Sequence, residues 1–400
     1  MTERIYYDDP YCREFDATIE AVGQRDGRAI VQLNRTAFYP TSGGQPFDTG
    51  VLDSVRVVDV VENEDGTLQH VVEGEQRFAQ GQTVHGAVDW TRRFDHMQQH
   101  TGQHVLSAAI ERRFGTKTIS FHLGALSSTI DLARERSAEE IAVAESDANR
   151  IVWEDRPIRI RYASPEEAAA LPLRKEPQRG GVLRLIDIEQ HDLSACGGTH
   201  VASTGAVGMI AVGSWERFKG GQRLEFSCGG RALARFGELR AAVAATVRQL
   251  SVLPHEIAAA VERLKTDARD SQRTISTLLA EVARYRAAEF LASAEPEGGA
   301  QLVMRAIDGD VALLKLLAGA IAAQPASAAV LVSSGRPVTV VIARAADLGT
   351  FDANRLVAAL IATFGGRGGG RPESAQAGGL DADPQAILRA AREALAARSA

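Results

Sequence analysis

The sequence predicts an α+β chain in four parts: a small β-barrel-like module over residues 1–92, an α+β module built around a metal-ligand set over 93–235, a helical, coiled-coil segment over 236–295 and a C-terminal α/β domain over 296–400. Three observations lead there. Through the first ninety residues short apolar runs alternate with turns, as in Ala29-Ile-Val-Gln-Leu33 and Val55-Arg-Val-Val-Asp-Val-Val61, the pattern of half-buried strands. From Ile257 to Tyr285, residues Ile257, Val261, Leu264, Ala268, Ser271, Ile275, Leu278, Val282 and Tyr285 alternate spacings of four and three, a coiled-coil seam of about four heptads. Beyond residue 300, apolar strand runs at 301–305, 328–333 and 338–343 alternate with helical stretches, the mark of a compact α/β unit.

Four hundred residues exceed one typical core. With 45% hydrophobic and 24% charged residues, the composition is that of a soluble globular chain. The start, Met1-Thr-Glu-Arg-Ile-Tyr-Tyr-Asp-Asp9, lacks the basic cluster and apolar run of an export signal. The longest apolar tract, 311–323, is short for a membrane span and carries Lys315, so no membrane association is expected. Three cysteines, Cys12, Cys196 and Cys228, are an odd number without framework spacing, which suits a reduced, cytoplasmic setting. A net charge of −6 argues against a generally basic nucleic-acid binder. Residues 1–100 hold 17 acids and 9 bases while residues 301–400 hold 8 and 10, so an RNA surface would be local, toward the middle or the C-terminus.

The second part is organised around His96-Met-Gln-Gln-His100-Thr-Gly-Gln-His104, which reads as helix. There His100 and His104 share one face, about 5–6 Å apart at Cβ, and both can reach one ion. Downstream, Cys196-Gly-Gly-Thr-His200 offers a thiolate and an imidazole at a second four-residue spacing, with two glycines that let the backbone turn tightly. His100, His104, Cys196 and His200 make a tetrahedral set, with zinc first by ligand type and His96, one turn before His100, as the competing ligand. The HExxH motif of zinc peptidases is absent, Thr101 standing where it needs Glu.

In chain order, Phe38-Tyr-Pro-Thr-Ser-Gly-Gly-Gln-Pro-Phe-Asp-Thr-Gly50 is a wide glycine turn. In it Gly43 and Gly44 allow close backbone approach to a ligand, while Thr41 and Gln45 offer polar groups. Asp95 or Thr91 is the expected cap of the histidine helix. Past its end, Arg112, Arg113 and Lys117 read as a solvated turn or as phosphate contacts. Residues 118–132 read as two strands joined by a turn, on which Ser120 and His122 alternate with apolar partners. A helix from Ser137 to 153, a strand at 158–162 and a helix start at Ser164-Pro-Glu-Glu follow. A loop with Arg174, Lys175 and Arg179 is either solvated or a phosphate contact. A strand at 182–188 and closing strands at 205–210 and 223–228 complete this part, with Cys228 as a small buried residue. Helix is expected from Gly237, broken at Pro254, so the heptad seam pairs either with 237–251 or with a second copy. Residues 293–299 read as a linker. The glycine-rich run 364–379, with Arg367 and Arg371, reads as flexible or as an ordered phosphate-binding nest.

The pair HxxxH and CGGTH, about ninety residues apart, resembles the editing domain of alanyl-tRNA synthetases and of free-standing alanyl-tRNA editing proteins. The 38–50 segment is similar to the glycine-rich signature of the longer, synthetase-like editing proteins. That resemblance implies that Thr41 meets the hydroxyl of a mischarged serine, that Ser120 and His122 line the editing pocket, and that Gly43, Gly44 and Gln45 lie at the substrate. The run at 364–379 is similar to the C-terminal domain shared with DHH-type phosphoesterases, although no phosphoesterase motif rich in Asp and His accompanies it. In those families this domain is tied to RNA binding and dimerisation, which implies RNA contacts at Arg367 and Arg371 and a homodimer through the coiled coil or this domain. No stretch resembles an aminoacylation core. The expectation is a trans-editing hydrolase with one Zn2+ per protomer that deacylates tRNA(Ala) mischarged with serine or glycine. A pocket for alanine discriminates poorly against such close analogues, so a second site is needed to correct the error. The alternative is a non-catalytic RNA-binding protein stapled by zinc.

Overall fold

The computed structural model describes residues 2–74, 78–175, 181–297 and 299–396; Arg179 lies outside them. Two compact units divide the chain at Thr246/Val247. In the first, strands β1 (Glu14–Arg25), β2 (Arg28–Leu33), β3 (Gly50–Leu52), β4 (Val55–Glu62), β5 (Leu68–Val72) and β6 (Thr83–Val88) close into a barrel in the order β1-β2-β5-β4-β3-β6. Closure leaves no strand edge unpaired. The two-residue period sends Phe15, Ala17 and Ile19 of β1 inward, where they meet Val31, Leu33, Val57, Val60 and Val84.

Helix α1 (Trp90–Phe114) follows β6 at once, and its cap is Asp89, whose side chain accepts the backbone N–H of Arg92. Neither Asp95 nor Thr91 takes that role, because the chain passes from strand to helix within one residue. The helix ends at Gly115, in the left-handed region at φ 63°. Residues 99–110 of α1 are all buried. Helix α2 (Ala138–Trp153), capped by Ser137 as expected, packs beside it. Two sheets complete this layer: β7 (Thr118–Leu123) and β8 (Ser128–Leu132) join β12 (Ile210–Phe218) and β13 (Gly221–Cys228), while β9 (Ile158–Ala163), β10 (Leu183–Ile188) and β11 (Asp192–Ala195) form the other. The closing strand begins at Ile210, later than expected. Thr204 holds the preceding segment in a 3-10 turn by accepting Arg156 N–H and donating to Ile151 O.

Helix α3 (Gly229–Leu250) starts eight residues before Gly237. Helix α4 (Ile257–Ala292) belongs to the second unit and is continuous, and the heptad seam faces solvent, with Leu264 at 54% and Leu278 at 54% exposure. Only near its C-terminal end do Ala283, Ala287 and Phe290 pack into a core, with Leu314, Leu317 and Ile321 of α5 (Val311–Ala322). The sheet of this unit runs β14 (Glu295–Glu297), β15 (Ala300–Ile307), β16 (Ser327–Ser333), β17 (Val338–Arg344), β19 (Ser374–Leu380), β18 (Arg367–Arg371). Its one parallel pair, β15/β16, is bridged by α5. Helices α6 (Ala353–Phe364) and α7 (Pro384–Ala396) cover the second core. Two expectations are corrected here: the described part of 293–299 contributes the edge strand β14, and the glycine-rich run forms the β18/β19 hairpin. Ala375 and Ala377 anchor that hairpin by facing the core, while β18 is held by its backbone pairing.

In the first unit a fully buried ion pair pins the 38–50 segment to α1. Arg93 Nε donates to Asp48 Oδ2 at 2.9 Å, the rest of the guanidinium meets Asp48 and the carbonyls of Pro10 and Ala37, and Asp48 also accepts Tyr39 N–H at 2.7 Å. Removing one partner strands a buried charge, which costs about 3–5 kcal/mol. Asp48→Ala is therefore expected to lower the stability of the first unit by that amount in chemical denaturation. Glu135→Ala, which breaks the exposed pair with Arg217, costs less than about 1 kcal/mol. Equal midpoints for the two variants would show that the buried pair is not what holds the segment.

Candidate metal centre

Helix α1 supplies His100 and His104, and the turn after β11 supplies Cys196 and His200. One donor atom from each lies within 4.8 Å of all the others. Cys196 Sγ is 3.4 Å from Nε2 of His100 and 3.4 Å from Nε2 of His200. Tetrahedral bonds of about 2.0 Å to nitrogen and 2.3 Å to sulfur imply an N–S edge of about 3.5 Å, so the donors stand at ligand spacing.

Each ligand histidine is oriented from behind. Nδ1 of His100 meets Gln45 Oε1 at 2.9 Å, that of His104 meets Asp192 Oδ2 at 2.8 Å, and that of His200 meets Thr101 Oγ1 at 3.1 Å. With Nδ1 engaged, Nε2 is left for an ion, the arrangement in which a backing group fixes ring orientation and tautomer. Asp192 is itself held by Arg174, at 2.6 Å from Nε, and by Ser194 Oγ. Arg184 donates to the carbonyls of Cys196 and Gly198 and so fixes the ligand turn.

Electrostatics favours the ligand forms of Cys196 and His200. Burial alone would raise the Cys196 thiol, but the imidazoles of His100 and His200 hold it well below its usual range. Burial pushes His200 down to about 3. Burial also lowers His104, yet Asp192 and Cys196 together outweigh it and the net direction is upward. A thiolate with three oriented imidazoles suits a borderline-soft divalent ion.

Two glycines make the approach possible. At Gly198 a Cβ would stand 2.1 Å from His100 Cε1, so any other residue would displace the ligand ring. At Gly44, in the left-handed region at φ +83°, a Cβ would stand 2.7 Å from the carbonyl oxygen of Phe121. There the 38–50 segment lies against β7, and Gly44 O accepts Leu123 N–H at 3.0 Å.

Three of the four donors, His100, His104 and Cys196, line a cavity of about 150 Å³, together with Tyr39, Ser42, Gly43, Gln103, Ser120, Phe121, Arg174 and Lys175. Gly43 and Ser120 thus line this cavity, although Ser120 Oγ already donates to Asp131. His122 is exposed and is not part of this lining. Thr41 is exposed as well, its Oγ1 accepting Phe47 N–H at 3.2 Å, and the hydroxyl residue at the cavity is its neighbour Ser42. Gln45 is fully buried behind His100, with its amide spent on Thr199 and that ring. His96 is buried but outside the donor cluster. Arg367 and Arg371 lie exposed on β18 in the second unit. Sequence reading missed Asp192, Arg174, Thr101 and Arg184; Asp192 and Thr101, next to ligand motifs in His191-Asp-Leu-Ser-Ala-Cys196 and His100-Thr-Gly-Gln-His104, could have been flagged as backing groups.

Comparison with known proteins agrees with this architecture. Residues 11–92 match the family model of class II (A) tRNA synthetases, 183–225 that of the threonyl and alanyl tRNA synthetase second additional domain, and 299–397 that of the DHHA1 domain. The barrel, the Cys/His turn and most of the C-terminal unit thus each fall within a segment that one of these models matches. The chain fits a long alanyl-tRNA editing protein: it is 38% identical over 249 residues to alanyl-tRNA editing protein AlaX-L of Pyrococcus horikoshii, covering 60% of this chain and 61% of that protein. It is 32% identical over 391 residues to the alanine–tRNA ligase of Pyrococcus furiosus and 36% over 417 to that of Pyrobaculum neutrophilum, covering 94% and 99% of this chain. The chain spans 42% and 44% of those ligases. Among the described residues no helix is long and apolar enough to cross a membrane.

Loss of a ligand and loss of a backing group separate cleanly in this geometry. Cys196→Ala should abolish stoichiometric metal binding, whereas Asp192→Asn should weaken it by roughly tenfold to a hundredfold. Chelator competition on the purified variants measures both, and full occupancy in Cys196→Ala would remove that thiolate from the site.

Proposed function

We propose that the chain is a free-standing, cytoplasmic trans-editing hydrolase that deacylates tRNA(Ala) mischarged with serine, and with glycine, at a centre holding one Zn2+ per protomer. The observation that carries this reading is the N₃S donor set with three backed imidazoles, of which His100, His104 and Cys196 line a cavity of about 150 Å³ beside the glycine-rich segment. That volume suits a small amino acid. Kinship with an alanyl-tRNA editing protein supplies the substrate class.

The ion, when bound, supplies a positive charge that orients the ester end and neighbouring water. His100, His104, Cys196 and His200 would hold it with four protein donors, which leaves the selecting to the residues around them. Gly43 brings backbone to the cavity, Ser120 offers a hydroxyl from β7, and Ser42, with Thr41 supporting it from the same turn, forms the polar edge that meets a serine hydroxyl. Arg174 and Lys175 line the cavity and suit the phosphates of the tRNA end. Arg367 and Arg371, with the exposed seam of α4, supply further RNA affinity and a homodimer contact. A zinc-stapled protein that only binds RNA would have no use for a substrate-sized cavity beside the ion.

A single-turnover assay with Ser-, Gly- and Ala-tRNA(Ala) tests the reading, with hydrolysis expected for the first two and Ala-tRNA(Ala) spared. Thr41→Val should slow the serine ester more than the glycine ester. Equal losses would mean that Thr41 only supports its loop through Phe47. A chain cut after Thr246, at the boundary between the units, should keep its zinc and its activity at saturating tRNA but bind tRNA with a shallower salt dependence. Identical binding curves for cut and full-length chains would take RNA affinity away from the second unit.

A further inference from the structure

The run His96-Met-Gln-Gln-His100-Thr-Gly-Gln-His104 contains three glutamines, and the structure uses two of them fully. Gln98 donates to Ala206 O and accepts Gly230 N–H. Gln99 donates to Cys228 O and Asp95 and accepts Cys228 N–H at 2.8 Å. Both are clamps that fasten α1 to neighbouring backbone.

Gln103 differs. Its Nε2 donates to Ser107 Oγ at 2.9 Å, and Ser107 is steadied by Thr118 Oγ1 at 2.8 Å, so the amide is held in one orientation. Among the described residues no group engages Gln103 Oε1, yet the residue is 6% exposed and lines the cavity beside the metal ligands. With its Nε2 fixed on Ser107, the amide leaves Oε1 as an acceptor free for a donor that enters the cavity. Among the described residues the lining contains no Asp or Glu, and beside the Cys196 thiolate its charged side chains are the cations Arg174 and Lys175. A substrate amine meets no carboxylate among them, and Gln103 Oε1 offers it a neutral acceptor.

We propose that Gln103 Oε1 accepts the α-ammonium of the aminoacyl ester and thereby positions the ester carbonyl beside the metal centre. The inference rests on the deacylase reading and deepens it. It predicts selectivity for a free α-amine, since an N-acetyl group removes the charge and two of the donors and adds bulk to a small cavity.

The test compares Ser-tRNA(Ala) with N-acetyl-Ser-tRNA(Ala) on the full chain, using wild type, Gln103→Leu and Gln103→Glu, with zinc content measured for each. Wild type should prefer the free amine. Gln103→Leu should lose roughly tenfold to a hundredfold in kcat/KM on the free-amine ester, the range for a hydrogen bond to a charged group, with little change on the acetylated one. Gln103→Glu, which keeps an acceptor at the same reach, should restore the preference. Equal losses on both esters in a zinc-loaded Gln103→Leu, or no preference in an active wild type, would overturn the assignment. A wild type inactive on both esters would instead count against the deacylase reading.

Discussion

The first unit depends on how one glycine-rich segment is fastened to one buried helix. Two polar contacts do it: Asp48 on Arg93, both with fully buried side chains, and Gln45 bridging His100 and Thr199. The first anchors the segment to the start of α1. The second ties it to a metal ligand from α1 and, through Thr199, to the turn that carries Cys196 and His200. The barrel module and the ligand turn are thereby joined at the metal centre, more than 150 positions apart in sequence. Buried polar groups cost free energy unless they are paired, so contacts of this kind specify one arrangement over its competitors.

That dependence explains why the chemistry lies where modules meet. Neither α1 nor the ligand turn alone offers a tetrahedral set; each brings two donors, and the backing residues come from three directions. Gln45 comes from the glycine-rich segment, Asp192 from β11 and Thr101 from α1 itself. The rings are oriented before any ion arrives, so binding need not spend free energy on ordering them. The same convergence leaves a small cavity in front of the donors, which limits what can approach.

Much of this was legible in the sequence where a local period carries the signal. His100/His104 and Cys196/His200 declare themselves by four-residue spacing, and the barrel strands by alternation. Partnerships between distant segments left no such trace: Arg93 reads as one more arginine at a helix start, and Gln45 as a polar residue near substrate, until the fold buries both. Thr41 and Ser42 show the limit at single-residue scale, because a turn decides which of two neighbouring hydroxyls faces the cavity. The run at 364–379 carries no strand signal because glycine erases side-chain periodicity, yet backbone pairing alone makes β18 a strand. The seam of α4 has a coiled-coil period on a helix whose seam is solvent-exposed, so periodicity there reports an apolar stripe without naming its partner.

The central claim is that the four-residue donor cluster is the reaction centre of a deacylase, and metal occupancy tests it most directly. Apo protein prepared with a chelator would be titrated with zinc while hydrolysis of Ser-tRNA(Ala) and bound metal are followed together. Activity should rise in proportion to occupancy and level at one ion per chain. Full activity in the metal-free protein, with folding unchanged, would contradict it.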